Sequence, residues 1–168
     1  EPPEDTRLFS LPQVVVTPHI AGSTEEAQEL VGLETAHCVR DFLSTGAVRN
    51  AVNYPSLDPA ELKRLHPYTA LAQRLGALLG QIVTARPEAL AIRYYGALAN
   101  GNNETLVGAA LVGFFGSTLN NVTPINARAR AQERGIEIIE SRSSRARNFT
   151  SLISVKLHTN EGEHWVEG

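Results

Sequence analysis

His19 is the residue near the start of the chain whose type could do acid–base chemistry, and several carboxylates, Glu1 among them, lie nearby in the sequence. An imidazole titrates near neutral pH, so it can accept and return a proton. A carboxylate on its second ring nitrogen would fix the tautomer and stabilise the charged ring. The same pair could serve a hydrolase, but that reaction needs a nucleophile or a metal, and the neighbouring sequence offers neither. A single histidine after a proline is also common as an ordinary loop residue, so the residues alone leave these interpretations open.

A second chemical candidate is a cluster of six arginines within 20 residues near the end of the chain. They are Arg128, Arg130, Arg134, Arg142, Arg145 and Arg147. A guanidinium fork binds phosphate or carboxylate through two parallel hydrogen bonds, and the polar segment 141–148 adds hydroxyl and backbone donors. We therefore expect an anion site near Arg142, Arg145 and Arg147. The alternative is a solvated surface rich in arginine, since the chain holds 13 arginines and 2 lysines.

The other reactive and aromatic side chains favour structural roles. Cys38 lies on the apolar face of a predicted helix, where a thiol is usually buried and inert. His158 and His164 are predicted to lie on strand surfaces, and Trp165 is predicted to anchor the core. No group of Cys and His residues has the spacing of a zinc site, so no metal is expected.

Length and composition limit the class of protein. The chain has 168 residues, 42% hydrophobic and 20% charged, with a formal net charge of −3. This composition is typical of one folded domain, or of one small domain plus part of another. The charge argues against a nucleic-acid partner, and no apolar run reaches the ~18–20 residues that span a bilayer. A single cysteine excludes a disulfide framework, and without a signal peptide we expect a cytoplasmic location.

The first 50 residues predict one strand followed by one helix. The β-branched run Val14–Thr17 is typical of a buried strand and is ended by Pro18. Ser23 and Glu26 have the spacing of a capping box, and apolar residues then recur with a period near 3.6 until about Thr45. One strand and one helix cannot enclose a core, so we expect this helix to leave its apolar stripe exposed. The chain is therefore expected to be part of a longer protein.

A linker-like segment at residues 46–60 precedes a second unit of mixed helices and strands. Its helices are expected to begin at His66–Pro67, at residue 104 and at residue 125. Strands are expected at residues 89–97, 136–140, 151–158 and 164–166. The spacing of Gly76 and Gly80 indicates close packing of a helix against another element. Together these elements predict an α+β fold with a small antiparallel sheet packed on helices.

Several motifs, taken in this order, carry a resemblance that covers nearly the whole chain. Residues 11–28, LPQVVVTPHIAGSTEEAQ, resemble the catalytic end of the D-2-hydroxyacid dehydrogenases. Residues 50–55, NAVNYP, and 66–76, HPYTALAQRLG, are similar to the start of the intervening domain in the long-form members that act on 3-phosphoglycerate. Residues 121–127, NVTPINA, and the segment 148–155 continue this similarity.

The resemblance implies a domain organisation. Residues 1–49 are expected to be a strand–helix remnant of the α/β catalytic domains. Residues 50–168 are expected to form an intervening, allosteric substrate-binding domain that is truncated at its C-terminus.

The resemblance also implies roles for three residues. In this family a histidine, paired with a glutamate, acts as acid and base on the C2 hydroxyl, and His19 and Glu1 fall on those positions. His19 and Gly22 also fall on positions that bind NAD in this family, with Gly22 where the backbone approaches the nicotinamide. The family's dinucleotide fingerprint and substrate-binding arginine have no counterpart in these 168 residues. The implied parent is an NAD-dependent enzyme that oxidises 3-phosphoglycerate in L-serine biosynthesis, while this chain alone is expected to be inactive and to bind no NAD.

For the second unit the resemblance implies regulation. Some family members are regarded as using the intervening domain as an allosteric site, which would place 3-phosphoglycerate or another small anion near Arg142, Arg145 and Arg147. A homo-oligomer is expected, with neither a nucleic-acid nor a membrane partner. The alternative is a self-contained anion-binding or oligomerisation module without a catalytic role.

Overall fold

The protein divides into two compact units, residues 1–47 and residues 48–168. The structure is a computed structural model, and it describes residues 6–55, 57, 59–101, 103–145, 147 and 149–168. The division falls inside the segment that the sequence indicates as a linker. Each unit has its own local architecture and is described by itself below.

The first unit is dominated by one long helix, α1 (Glu25–Thr45), preceded by 3-10 turns at Arg7–Ser10 and Ala21–Ser23. Thr24 caps α1, because its hydroxyl accepts a hydrogen bond from the amide of Ala27 at 3.2 Å. The predicted cap at Ser23 was therefore wrong by one residue. Gly46 ends the helix in the left-handed conformation, with φ of +74°.

The predicted strand at Val14–Thr17 is absent, since these residues have no regular structure. A β-branched run becomes a strand only when a neighbour accepts its backbone hydrogen bonds, and no described segment pairs with it. Val15 is 90% exposed. The prediction of an uncovered apolar stripe on α1 is confirmed by exposed Leu30, Val39 and Leu43. Cys38, expected to be buried, is only half-buried, and its thiol donates to Glu34 Oε1 at 3.8 Å.

The described residues of the second unit form three α-helices, one 3-10 turn (Ala97–Asn100) and four strands. The helices are α2 (Pro59–Ile82), α3 (Glu104–Phe115) and α4 (Ala127–Glu133), and the strands are β1 (Pro87–Gly96), β2 (Glu137–Ser143), β3 (Ser151–Thr159) and β4 (Gly162–Glu167). The predicted helix start at His66–Pro67 was wrong, since Pro67 lies inside α2. A proline removes one helical hydrogen bond to the carbonyl four residues earlier. Lys63, the residue at that position, is exposed, so water can bind its carbonyl.

The four strands form one sheet in the order β2-β1-β3-β4. Pairing is parallel between β1 and β2, with Leu90 opposite Ile138, and antiparallel between the other neighbours. The expected antiparallel sheet is therefore a mixed one. The reason is the connection from β1 to β2, which runs through α3 and α4 and is long enough to return β2 in the same direction as β1. The α+β class itself is confirmed.

The core lies between the helices and one face of this sheet. Leu90, Ile92 and Tyr94 of β1 point into it, as the two-residue period of a strand requires. The Tyr94 hydroxyl donates to the backbone carbonyl oxygen of Asn103 at 3.3 Å. The side-chain Nδ2 of Asn103 donates to the backbone carbonyl oxygen of Leu98 at 2.6 Å. These bonds join the end of β1 to the start of α3.

The helices α2 and α3 approach each other through glycines, as predicted for Gly76 and Gly80. A Cβ added to Gly76 would overlap the carbonyl oxygen of Ala110, and one added to Gly80 would overlap that of Phe114. Gly113, on the opposing helix, meets the carbonyl oxygen of Gln73 in the same way. The two backbones are therefore in direct contact. None of the helices described in the structure is long and apolar enough to cross a membrane.

Candidate functional site

The loop that carries His19 lies between the two 3-10 turns of the first unit. His19 adopts a left-handed backbone conformation, with φ of +52°, which is uncommon for a residue other than glycine. Its neighbour Gly22 faces open space, since a Cβ added there would meet nothing within 4 Å. The Gln28 side chain donates to the Gly22 carbonyl and so ties this loop to α1. Glu1 lies outside the described residues, so its pairing with His19 stays a prediction.

The structure separates the arginines that the sequence groups together. Residues 141–143, predicted as part of a loop, belong to β2, and Arg142 lies opposite Tyr94, on the face of the sheet that carries the helices. Arg147 lies over the ring of Tyr95, on the other face, with its Cζ 4.6 Å from the ring centroid. Arg145 is exposed in the segment between β2 and β3. A single anion therefore cannot be assigned to Arg142 and Arg147 together on one face of the sheet.

Around Arg142, the helix-facing side carries its own charge network. Arg128 of α4 forms an ion pair with Glu140 of β2. Burial, and then the nearby Glu140 carboxylate, raise the pKa of Tyr94 well above its usual range. Its hydroxyl thus stays protonated, and remains a hydrogen-bond donor, to a higher pH than that of an exposed tyrosine.

The opposite side of the sheet, here called the open face, carries a mixture of cations, carboxylates and aromatic rings. Its members include Arg93, Tyr95, Arg147, Lys156, His158, Glu163, Trp165 and Glu167. Glu163 accepts hydrogen bonds from Lys156 Nζ at 2.7 Å and pairs with His158 Nδ1 at 3.1 Å. The hydrogen bond from Lys156 is the largest cause of a lowered pKa at Glu163. Glu167 pairs with Arg147 at 3.3 Å.

The structure also decides the roles of the residues on β3 and β4. His158 and His164 lie on strand surfaces, as predicted. Trp165, predicted to anchor the core, is 62% exposed. Val166, its neighbour in the strand, packs against the core instead, because successive side chains of a strand point to opposite faces.

Arg93 and Tyr95 on the open face are residues that the sequence reasoning missed. Their signal was the alternation of Arg93 and Tyr95 with the core residues Ile92 and Tyr94. The described residues contain no group of three or more His, Cys, Asp and Glu that could hold a metal ion.

Comparison with known proteins identifies the family to which the chain is similar. The model of the D-3-phosphoglycerate dehydrogenase intervening domain matches residues 64–168. A D-3-phosphoglycerate dehydrogenase of Synechocystis is 38% identical over 170 residues, which is 100% of this chain and 31% of that protein. Proteins of the same name from Archaeoglobus fulgidus and Bacillus subtilis are 35% and 34% identical, over 100% and 94% of this chain and 32% and 30% of their own lengths. The chain thus spans about a third of the length of the curated relatives it matches.

Proposed function

The chain belongs to the D-3-phosphoglycerate dehydrogenase family through its intervening domain, and we propose that it works as part of an NAD-dependent enzyme that oxidises 3-phosphoglycerate to 3-phosphohydroxypyruvate. The single observation that carries the proposal is identity of 35–38% across the whole chain, including the part before the matched domain. Residues 1–49 would then be the end of the catalytic region, and residues 50–168 the intervening domain.

His19 is the proposed acid and base of this reaction, with Glu1 as its partner. The hydroxyl proton of the substrate passes to an imidazole nitrogen as the C2 hydrogen leaves as hydride, since an imidazole can both accept and return a proton. NAD, when bound, supplies the hydride acceptor. The open space at Gly22, close to His19, fits the approach of a nicotinamide to the backbone.

A chimera tests this proposal directly. The matching third of the Synechocystis relative is replaced by this chain, and NADH formation from 3-phosphoglycerate is followed by absorbance. We expect turnover by the chimera and only background NADH formation by the 168-residue chain alone, which has no dinucleotide fingerprint. A folded chimera without turnover would contradict the proposal, and turnover by the chain alone would contradict its expected inactivity.

The intervening domain is proposed to bind a small anion, such as 3-phosphoglycerate or phosphate, and to regulate the enzyme. Arg145 supports this role, because its guanidinium is exposed and no carboxylate of the described residues lies within ion-pair distance of it. Binding would act on the catalytic region through the connection between Gly46 and Pro59, by biasing closure over the active site.

Arg145→Ala in the chimera is expected to weaken the change in turnover that added phosphate causes. Turnover in the absence of phosphate is expected to change less. A lost charge-assisted hydrogen bond corresponds to an increase of about tenfold in the phosphate concentration needed for half of the response. Arg74→Ala, an exposed arginine on α2, is the matched control and leaves the response unchanged. An unchanged response in the Arg145 variant would remove this residue from the effector site.

The alternative, an anion-binding or oligomerisation module without a catalytic role, has one observation in its favour. Residues 48–168 form a compact unit with a core of their own. Failure of the folded chimera in the turnover assay, together with phosphate binding by the chain, would favour this alternative.

A further inference from the structure

The open face of the sheet contains a concave site of about 640 Å³. Its shape follows from side-chain size, because the small side chains of Ala91 on β1, Ser154 on β3 and Ser141 on the edge strand β2 lie among long ones. Arg93 stands beside the two serines in the strand register, and Trp165 stands opposite Lys156 at the β4 side. The volume lies within the range of sites that bind small molecules.

The charge of this site is not balanced. Glu163 already pairs with Lys156 and His158, and Glu167 pairs with Arg147. Arg93, by contrast, has no carboxylate of the described residues within ion-pair distance. Its guanidinium Cζ lies 5.2 Å from the Tyr95 ring centroid, and that of Arg147 lies over the same ring at 4.6 Å. The ring thus holds two guanidinium groups at one end of the site, and one of them is available to an anion.

The other notable side chain is Trp165. A tryptophan that is 62% exposed on a strand presents a flat apolar surface to solvent, although indole rings are highly buried on average. Aromatic side chains placed in this way on a sheet can stack on the ring of a ligand. Two strand spacings of about 4.8 Å each separate β1 from β4, so Arg93 and Trp165 can contact opposite ends of one small molecule.

We propose that this open-face site binds a small anion that also carries a flat ring, of the class represented by a nucleoside monophosphate. The anionic group binds the Arg93 guanidinium and the ring stacks on the Trp165 indole. The hydroxyl of Ser154, on the strand between them, bonds to the polar groups in the middle of the ligand, while Ser141 flanks Arg93 on the edge strand β2. The site lies wholly within the second unit and makes no use of His19. It goes beyond the proposed function and does not depend on dehydrogenase activity.

Trp165 is the single tryptophan of the chain, so tryptophan fluorescence reports on this site alone. The purified chain is titrated with AMP while its fluorescence is recorded. We expect a saturable change in Trp165 emission, and we expect Arg93→Gln to raise the Kd for AMP about tenfold or more, because a charge-assisted hydrogen bond is lost. Arg74→Gln is the matched control, and its Kd stays at the wild-type value. Isothermal titration with Trp165→Ala is expected to show weaker AMP binding as well.

Two further probes separate the two halves of the ligand. Adenosine offers the ring without the anion, and inorganic phosphate offers the anion without the ring, so each is expected to bind more weakly than AMP. Phosphate that changes Trp165 emission with the same affinity as AMP would overturn the ring contact. An AMP affinity that Arg93→Gln does not change, or no saturable signal with millimolar AMP, would overturn the site. Neither result bears on the turnover of the chimera, so the two proposals fail separately.

Discussion

Gly113→Ala is expected to lower the free energy of unfolding of the second unit by about 2–3 kcal/mol, as overpacking of a tight core does. Helix propensity alone predicts the opposite sign, because alanine favours a helix over glycine by about 1 kcal/mol. In the folded protein the substitution is nevertheless destabilising, because the new Cβ would overlap the backbone carbonyl of Gln73 on α2. Backbone atoms of a packed helix cannot move aside as the end of a flexible side chain can. The helices α2 and α3 must therefore separate.

Urea unfolding followed by far-ultraviolet circular dichroism measures this effect. Gly76→Ala tests the same contact from the other helix, where the new Cβ would overlap the carbonyl of Ala110. Gly32→Ala is the matched control, because Gly32 lies inside α1 and a Cβ there meets nothing within 4 Å. The control is expected to raise the helical signal of α1 or leave it unchanged. A Gly113 variant as stable as the wild type would show that the two helices are not in backbone contact.

His19→Ala in the chimera is expected to lower kcat at least ~100-fold, the usual contribution of a positioned acid–base group. In the proposed mechanism the substrate hydroxyl proton then has no acceptor as hydride leaves, while the contacts of other groups to substrate are retained. We therefore expect a much smaller change in KM than in kcat. NADH formation from 3-phosphoglycerate provides the measurement.

His66→Ala is the matched control for the loss of a histidine. His66 is exposed on α2, far along the chain from the loop of His19, and its removal is expected to leave kcat unchanged. A His19 variant that retains most of its turnover would assign the proton transfer to another group, and would leave His19 as an ordinary loop residue with a left-handed backbone.

Much of the second unit could be predicted from sequence, because its elements have clear periods. Apolar residues alternate in β3 and form a continuous run in α3. Such patterns reflect the local geometry of a strand or helix, so both elements were recognisable without knowing which segments pack against them. The α+β class followed from the order of these elements. The family resemblance rests on motifs in the chain, and the matched intervening-domain model confirms it.

The candidate anion site was only partly predictable. Composition and spacing indicated an arginine-rich region, and Arg147 does lie at a concave site. Spacing could not show that Arg142 projects to the other face, because the sequence indicated a loop from residue 141, whereas β2 continues to Ser143. Arg93 is distant in sequence from Arg147, and only the pairing of β1 with β2 and β3 brings their guanidinium groups to the ring of Tyr95.

By itself, the sequence determined the helices and strands with strong periods, the close packing expected at Gly76 and the family. The tertiary structure decided which strands pair, which of their faces is buried and which backbones touch. It placed Trp165 outside the core, left Val14–Thr17 without a strand partner and brought Gly113 against α2. The physical reason is the same in each case. Local periodicity gives the direction of side chains within an element, whereas hydrogen-bond partners and packing surfaces come from segments that are distant in the chain.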